Sequence, residues 1–315
     1  MAGWTADDIP DLSGRTALVT GANSGLGFHT ALQLGKHGAR VLMAARDATR
    51  GQQALVRARA AAPDASFELV SLDLADLSSI HSAADDLATR ADMLDILVNN
   101  AGVMAIPYQQ TADGFEKQLG TNHLGHFALT GRVLPQLLAA PAPRVVTVSS
   151  GAHRSARGIR FDDLQSQASY SPLGAYAQSK LANLLFAAEL DRRAGAAGTT
   201  LVSAAAHPGL AATSLMQARP GQPTSRLMSV GAKVAFAVFG QSGAAGAWPQ
   251  LYAATMPDVI GGEYFGPSGM GEQRGHPQRV GRADAANDEA SAARLWEMSA
   301  ELTGVTYDQL KAGGT

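Results

Sequence analysis

Cysteine is absent from this chain of 315 residues, which excludes disulfides, iron–sulfur clusters, thiolate zinc sites and cysteine nucleophiles together. Charge is scarce as well. Only 17% of the residues are Asp, Glu, Lys or Arg, and the formal net charge is −2, so the basic footprint of a nucleic-acid binder is missing. No apolar run reaches the roughly 18 residues that a membrane-spanning helix requires. The best candidate, Leu227–Phe239, is too short and carries Lys233. Residues 1–11 are acidic and hold no apolar stretch, unlike a signal peptide. Internal repeats and blocks of like charge are also lacking. These absences predict a cytoplasmic protein with no nucleic-acid partner and no transmembrane segment. The length allows a large core without covalent staples.

What the chain does contain is an alternation of two patterns. Thr16–Thr20, Arg40–Ala44, Phe67–Ser71, Ile96–Asn99, Arg144–Ser149 and Leu201–Ala206 are short apolar runs without polar alternation. Strands buried on both faces of a parallel sheet have this character. Between them lie helix-length segments, roughly Gly25–His37, Ala48–Ala62, Ser78–Arg90, Ala112–Leu138 and Ala175–Ala194. The expected fold class is therefore α/β: a single doubly wound Rossmann-type domain over residues 1–315, with helices on both faces of the sheet. Residues 12–210 form its core. After His207 the chain turns rich in Gly, Pro, Ala, Met and aromatics. Leu227, Val230, Val234, Ala237 and Val238 recur at helical spacing, which suits an amphipathic membrane contact and a lid over an apolar pocket equally; residues 210–240 are read as a flap over a substrate pocket. Residues 241–315 supply closing elements: a helix over Gly243–Ala254, a last strand at Glu263–Phe265 and a helical tail within Ala283–Tyr307. The glycine-rich run Gly266–Gly275 lacks the lysine and hydroxyl of a P-loop and reads as a loop.

Thr20-Gly21-Ala22-Asn23-Ser24-Gly25-Leu26-Gly27 follows the first strand and opens the first helix. Glycines there permit positive φ, close backbone approach to a pyrophosphate and tight helix–strand packing. The freed amides of the helix N-terminus favour an anion. About twenty residues on, the second strand ends Ala44-Ala45-Arg46-Asp47. An acid at this point accepts ribose hydroxyls, whereas an arginine pairs with a 2′-phosphate. Ala45 occupies the place expected for the acid, Arg46 follows, and Asp47 reads as the N-cap of the next helix. The pattern predicts NADP(H) in preference to NAD(H).

Tyr176 and Lys180 are four residues apart in a helical segment, so phenol and ammonium share one face. A nearby cation favours phenolate and lowers the tyrosine pKa from its ordinary value of about 10. Asn99-Asn100-Ala101-Gly102 ends the fourth strand, and Ser149-Ser150 ends the fifth, both at the edge where such sheets present ligand contacts. Asn122 lies inside a helical segment, where a buried amide costs stability unless it finds partners.

Taken in order, Thr20–Gly27, Asp73-Leu74, Asn99–Gly102, Asn122, Ser150, Tyr176, Lys180 and His207-Pro208-Gly209 resemble the classical short-chain dehydrogenase/reductase family from about Leu12 to Phe265. Within it, Arg46-Asp47, the run Thr121–Phe127 and the insert between Ser150 and Tyr176 resemble the retinol-dehydrogenase-like and WW-domain-oxidoreductase-like branch. The resemblance implies a seven-stranded parallel sheet and hydride transfer between a nicotinamide and a carbonyl or alcohol. It implies Tyr176 as the acid/base and Ser150 as the donor to the substrate oxygen. Lys180 would bind the nicotinamide ribose and depress the Tyr176 pKa, and Asn122 would hold a relay water. For the cofactor it implies Gly21, Asn23, Ser24, Gly25, Leu26, Gly27, Arg46, Asp73, Leu74, Asn100, Ala101, Gly102, Pro208, Gly209 and Thr213, with Tyr176 and Lys180.

Metal chemistry finds no support: His123 and His126 are one turn apart, but no further ligand is spaced to complete a site, so polar or packing roles are expected for His123, His126, His153 and His207. A serine hydrolase is excluded by the lack of a G-x-S-x-G elbow. Leu164, Leu173, Leu215, Met216, Met228 and Phe236 suggest a small-molecule, hydrophobic carbonyl or alcohol substrate. Homo-oligomerisation is compatible with the resemblance. The alternative is a cofactor-binding sensor or scaffold of the same fold without turnover.

Overall fold

The computed structural model describes residues 3–210, 242–269 and 271–311. The expected flap at 210–240, with Thr213, Leu215, Met216, Met228 and Phe236, therefore lies outside the described residues but for Leu210. An eight-stranded sheet of order β3-β2-β1-β4-β5-β6-β7-β8 organises the chain. Its strands are β1 (Thr16–Thr20), β2 (Arg40–Ala45), β3 (Phe67–Ser71), β4 (Ile96–Asn99), β5 (Arg144–Val148), β6 (Val202–Ala206), β7 (Tyr264–Gly269) and β8 (Arg274–Arg279). The first seven pair in parallel.

Strand neighbours alternate between two cores. Val19, Val41, Met43, Ile96 and Val98 point to one side, while Leu18, Leu42 and Leu97 point to the other. Both faces are thus buried, which is why these strands carry continuous apolar sequence. Helices α1 (Gly25–Lys36) and α2 (Ala48–Ala61) cover the first face through Ala31, Leu34, Ala54 and Ala58. Helix α3 (Leu77–Arg90) covers the second through Ile80, Ala83 and Leu87.

The eighth strand departs from the expected seven-stranded sheet. The run 266–275, expected as a loop, is largely the end of β7, a tight turn and the start of β8, and these two strands pair antiparallel. Glycine and proline conceal the strands in the sequence. Pro267 stands opposite Pro277, so the missing N–H groups fall on one rung, and a register shift separates Pro267 from Gly269. Such irregularities are tolerated at the edge of a sheet.

The helix expected over Ala112–Leu138 is also broken. The segment is α4 (Lys117–Leu119), a π-helical turn at Gly120–Leu124, α5 (Gly125–Arg132) and α6 (Leu134–Ala139). It starts late because Glu116 is a buried cap, its carboxylate accepting from the amides of Gln118 and Leu119 at 2.8 Å each. It breaks at Val133 because Pro135 in the first turn of α6 cannot continue the ladder from α5. Further on are α7 (Pro172–Ala196), α8 (Gly243–Gly246), α9 (Trp248–Thr255) and α10 (Glu289–Thr303). Helix α10 lies against α5 and α7, where Trp296 packs on Phe127 and stacks on Phe186, with ring centroids 5.1 and 5.9 Å away. Among the described residues no helix is long and apolar enough to cross a membrane.

His123 and His126 are fully buried on the second face, His123 against Phe127 and Phe186 and bonded through Nε2 to Ser299 Oγ at 2.8 Å. Burial holds His123 down to about 3 and His126 to about 4, from an ordinary 6.5. The unfolded chain therefore binds the extra protons. Stability is complete above about pH 6.5 and falls as pH drops below it, by at most about 1.4 kcal/mol per pH unit per ring. The thermal midpoint should decline between about pH 7 and pH 5, less steeply in His123→Phe. A midpoint constant over that range would contradict the buried neutral rings.

Candidate active site

At the carboxyl ends of β1, β2, β4, β5 and β6 lies a cleft of about 380 Å³. The glycine-rich turn forms its floor. Gly21 and Gly25 have φ of 65° and 54°, a conformation that costs most side chains free energy. At Gly27 the constraint is space: a Cβ there would stand 2.5 Å from Asn100 Nδ2 and 2.9 Å from the Gly21 carbonyl carbon. Ser24, in an extended conformation, is the N-cap of α1. The turn fits a dinucleotide pyrophosphate: backbone close enough for contact, and a helix N-terminus facing the cleft.

Of the residues expected at the site, Gly21, Asn23, Ser24, Gly25, Leu26, Gly27, Arg46, Asp73, Leu74, Asn100, Ala101, Gly102, Ser150, Tyr176, Lys180, Pro208 and Gly209 all line this cleft. Asn122 does not. It is buried behind the cleft wall, its Oδ1 accepting from Val103 N at 2.8 Å and its Nδ2 donating to Val103 O and Ser179 Oγ at 2.9 Å each. These partners offset the cost of an amide inside a helical segment. Ala45 is buried and packs toward Gly51, whereas Arg46 lines the cleft 4.0 Å from Asp73. Asp47 caps α2, accepting from Arg50 N at 2.9 Å.

The catalytic candidates converge. Lys180 follows Tyr176 by one turn of α7, its Nζ 5.8 Å from the phenol ring centroid and donating to Val148 O at 3.0 Å. Burial lowers Lys180 to about 8. Burial also raises Tyr176, against the pull of a hydrogen bond with the Ser150 hydroxyl. Here the group that favours phenolate is Ser150, while desolvation outweighs it; the depression by Lys180 that the sequence suggests is not what dominates. Ser150 also caps the 3₁₀ turn Gly151–Ser155 through the Ala152 amide at 3.2 Å.

One buried network was not anticipated. Thr20 Oγ1 accepts the amides of Asn100 and Ala101 at 2.9 Å each and meets His126 Nε2 at 2.9 Å. The other ring nitrogen of His126 donates to Asn122 O, also at 2.9 Å. A buried neutral imidazole thereby ties the glycine-rich turn to the π-helical turn, a polar role as the sequence suggested. Asn100 completes the brace, donating to Thr20 O at 2.8 Å. The cleft further includes Arg50, Val103 and Met104, which carry no motif, together with Asp47, Thr121 and Leu210. Among the described residues no cluster of three or more His, Asp or Glu could hold a metal.

Comparison with known proteins agrees with this geometry. A family model described as short chain dehydrogenase matches residues 15–223. Retinol dehydrogenase 12 of Mus musculus is 37% identical over 98% of this chain and 92% of its own length. Retinol dehydrogenase 14 of the same organism is 39% identical, covering 93% of this chain and 87% of the relative. Among solved structures, an uncharacterized protein from Mycobacterium paratuberculosis superposes with a TM-score of 0.79 at 44% identity, covering 97% of this chain and 99% of that one. The Pseudomonas aeruginosa RhlG/NADP active-site complex gives 0.63 at 26% identity, covering 81% and 94%. The chain belongs to the short-chain dehydrogenase family, in its retinol-dehydrogenase-like branch, and is an NAD(P)-dependent oxidoreductase acting on alcohol or carbonyl groups.

Proposed function

We propose that this enzyme prefers NADP(H) and interconverts an apolar carbonyl compound and its alcohol. The observation that carries the cofactor preference is the position of Arg46 in the cleft wall while Asp47 is engaged as a helix cap. A guanidinium there can meet a 2′-phosphate, and the Asp47 carboxylate, which also borders the cleft, accepts the Arg50 amide at 2.9 Å. Arg50 adds a second positive charge to the same wall. The bound RhlG/NADP neighbour is in keeping with this reading. Val103, Met104 and Leu210 give the cleft apolar surface, which supports a hydrophobic substrate.

In the proposed mechanism the nicotinamide, when bound, supplies or accepts the hydride. Tyr176 Oη gives its proton to the substrate oxygen in the reductive direction and recovers it in the oxidative one. A high phenol pKa suits the donor role. The Ser150 hydroxyl donates to the same oxygen and stabilises the charge that develops on it. Lys180, buried yet charged or nearly so at neutral pH, orients the cofactor ribose and favours phenolate once a proton has left. Asn122 fixes the Val103 backbone and Ser179, which holds the wall opposite Lys180 in place.

Two experiments test the proposal. Tyr176→Phe should lower kcat by about 10²–10⁴-fold while NADPH binding stays near the wild-type value. A variant retaining more than about a tenth of wild-type kcat would remove Tyr176 from its role. Arg46→Ala should weaken NADPH by about tenfold or more and leave NADH unaffected, measured at one fixed ionic strength. Equal losses for both cofactors would show that Arg46 reads no phosphate.

A further inference from the structure

The turn between β7 and β8 holds a residue that no motif predicts. Glu272 has φ of 64°, one of three non-glycine residues with positive φ among those described. Such a conformation costs a glutamate free energy and persists where surrounding contacts impose it. Its carboxylate supplies those contacts. Arg154 Nη2 donates to Oε1 at 3.0 Å and to Oε2 at 3.1 Å, and also to Gly281 O at 2.8 Å. On the other side His207 Nε2 lies 3.1 Å from Oε2. His207 is buried, and its Nδ1 accepts from Gly209 N at 3.3 Å, which leaves the ring proton on Nε2, facing the carboxylate.

Each partner leads to a different wall of the cleft. Arg154 sits in the 3₁₀ turn capped by Ser150, next to His153, whose Nδ1 donates to Ser150 O at 2.7 Å and whose Nε2 accepts from Ala283 N at 3.2 Å. His207 begins the segment Pro208–Leu210 that lines the cleft. The backbone of the same β-turn grips that segment directly: Leu210 N donates to Gln273 O at 2.9 Å. At Gly209, φ +62°, a Cβ would stand 2.7 Å from the Gln273 carbonyl carbon. The turn thus approaches too closely for any larger residue.

We propose that Glu272 is a positioning residue: through Arg154 and His207 it fixes the Pro208–Leu210 wall relative to the Ser150 wall, and so sets cofactor affinity. The inference rests on the reading that the cleft holds NADP(H). It also accounts for the eighth strand, whose hairpin carries Glu272 to this point. The pair with Arg154 is half-exposed, so it adds little to stability by itself. Its effect is geometric, and that separates the proposal from a merely structural role.

Glu272→Gly, Glu272→Gln and Arg154→Gln, singly and with the two glutamines combined, test it by NADPH fluorescence titration, thermal unfolding and steady-state kinetics. Glycine accepts the positive φ without strain. Glu272→Gly should therefore unfold at or above the wild-type temperature yet bind NADPH about tenfold more weakly, the size of one charge-assisted hydrogen bond. Glu272→Gln keeps the shape and should show a similar loss, expressed in KM for NADPH more than in kcat. The double glutamine variant should lose no more than the worse single one, because both remove the same link. Wild-type affinity in Glu272→Gln, or losses that add in the double variant, would overturn the proposal. Failure of the wild-type protein to bind NADPH would instead overturn the cofactor reading beneath it.

Discussion

Everything at the site depends on the reversal of strand order between β1 and β4. Both strands run parallel and side by side, yet the chain leaves β1 toward α1 on one face and leaves β4 toward α5 on the other. Two connections diverging from adjacent strand ends open a crevice that no side chain of the sheet fills. The glycine-rich turn takes one bank. Asn100–Gly102 takes the other, and β5 and β6 extend the same edge with Ser150 and Pro208. A sheet buried on both faces is stiff, so these groups are held by packing and not by the loops alone.

Around that crevice the protein buries several polar groups, and it does so by pairing them. Asn122, Thr20, His126 and Lys180 are all within a few per cent of complete burial. Asn122, Thr20 and Lys180 meet backbone groups at or just beyond strand ends: Val103 after β4, the amides of Asn100 and Ala101, the carbonyl of Val148 at the end of β5. The strand ends thus satisfy the side chains and the side chains satisfy the strand ends. In such a setting an ammonium loses much of its preference for the charged state, which places Lys180 near neutrality and lets it respond to a neighbouring charge.

Much of this was legible in the amino-acid sequence, because the relevant signals are local. Six strands stand out as apolar runs, and the turn at Gly21–Gly27 follows the first of them directly. Tyr176 and Lys180 needed only helical spacing. What escaped is non-local or masked by composition. The strand expected at Glu263–Phe265 is the start of β7, but the rest of β7 and all of β8 are written with glycine and proline, residues that ordinarily end strands. The breaks at Glu116, Gly120–Leu124 and Pro135 interrupt a segment whose apolar content reads as one helix. Arg154 and Glu272 are separated by 118 positions, and nothing in either neighbourhood announces the other. Ala45 and Arg46 are adjacent in sequence, but the strand pleat buries one and turns the other to the cleft.

The proposed chemistry joins a dinucleotide in this cleft to a carbonyl oxygen held by Tyr176 and Ser150. It is tested most directly by following deuterium from NADPH labelled at the transferable position of its nicotinamide ring. With a hydrophobic aldehyde in ordinary water, the alcohol product should carry one deuterium on the carbinol carbon and a hydroxyl proton that exchanges with solvent. An alcohol without label on carbon, or label released to water, would exclude direct hydride transfer from the nicotinamide to that carbon.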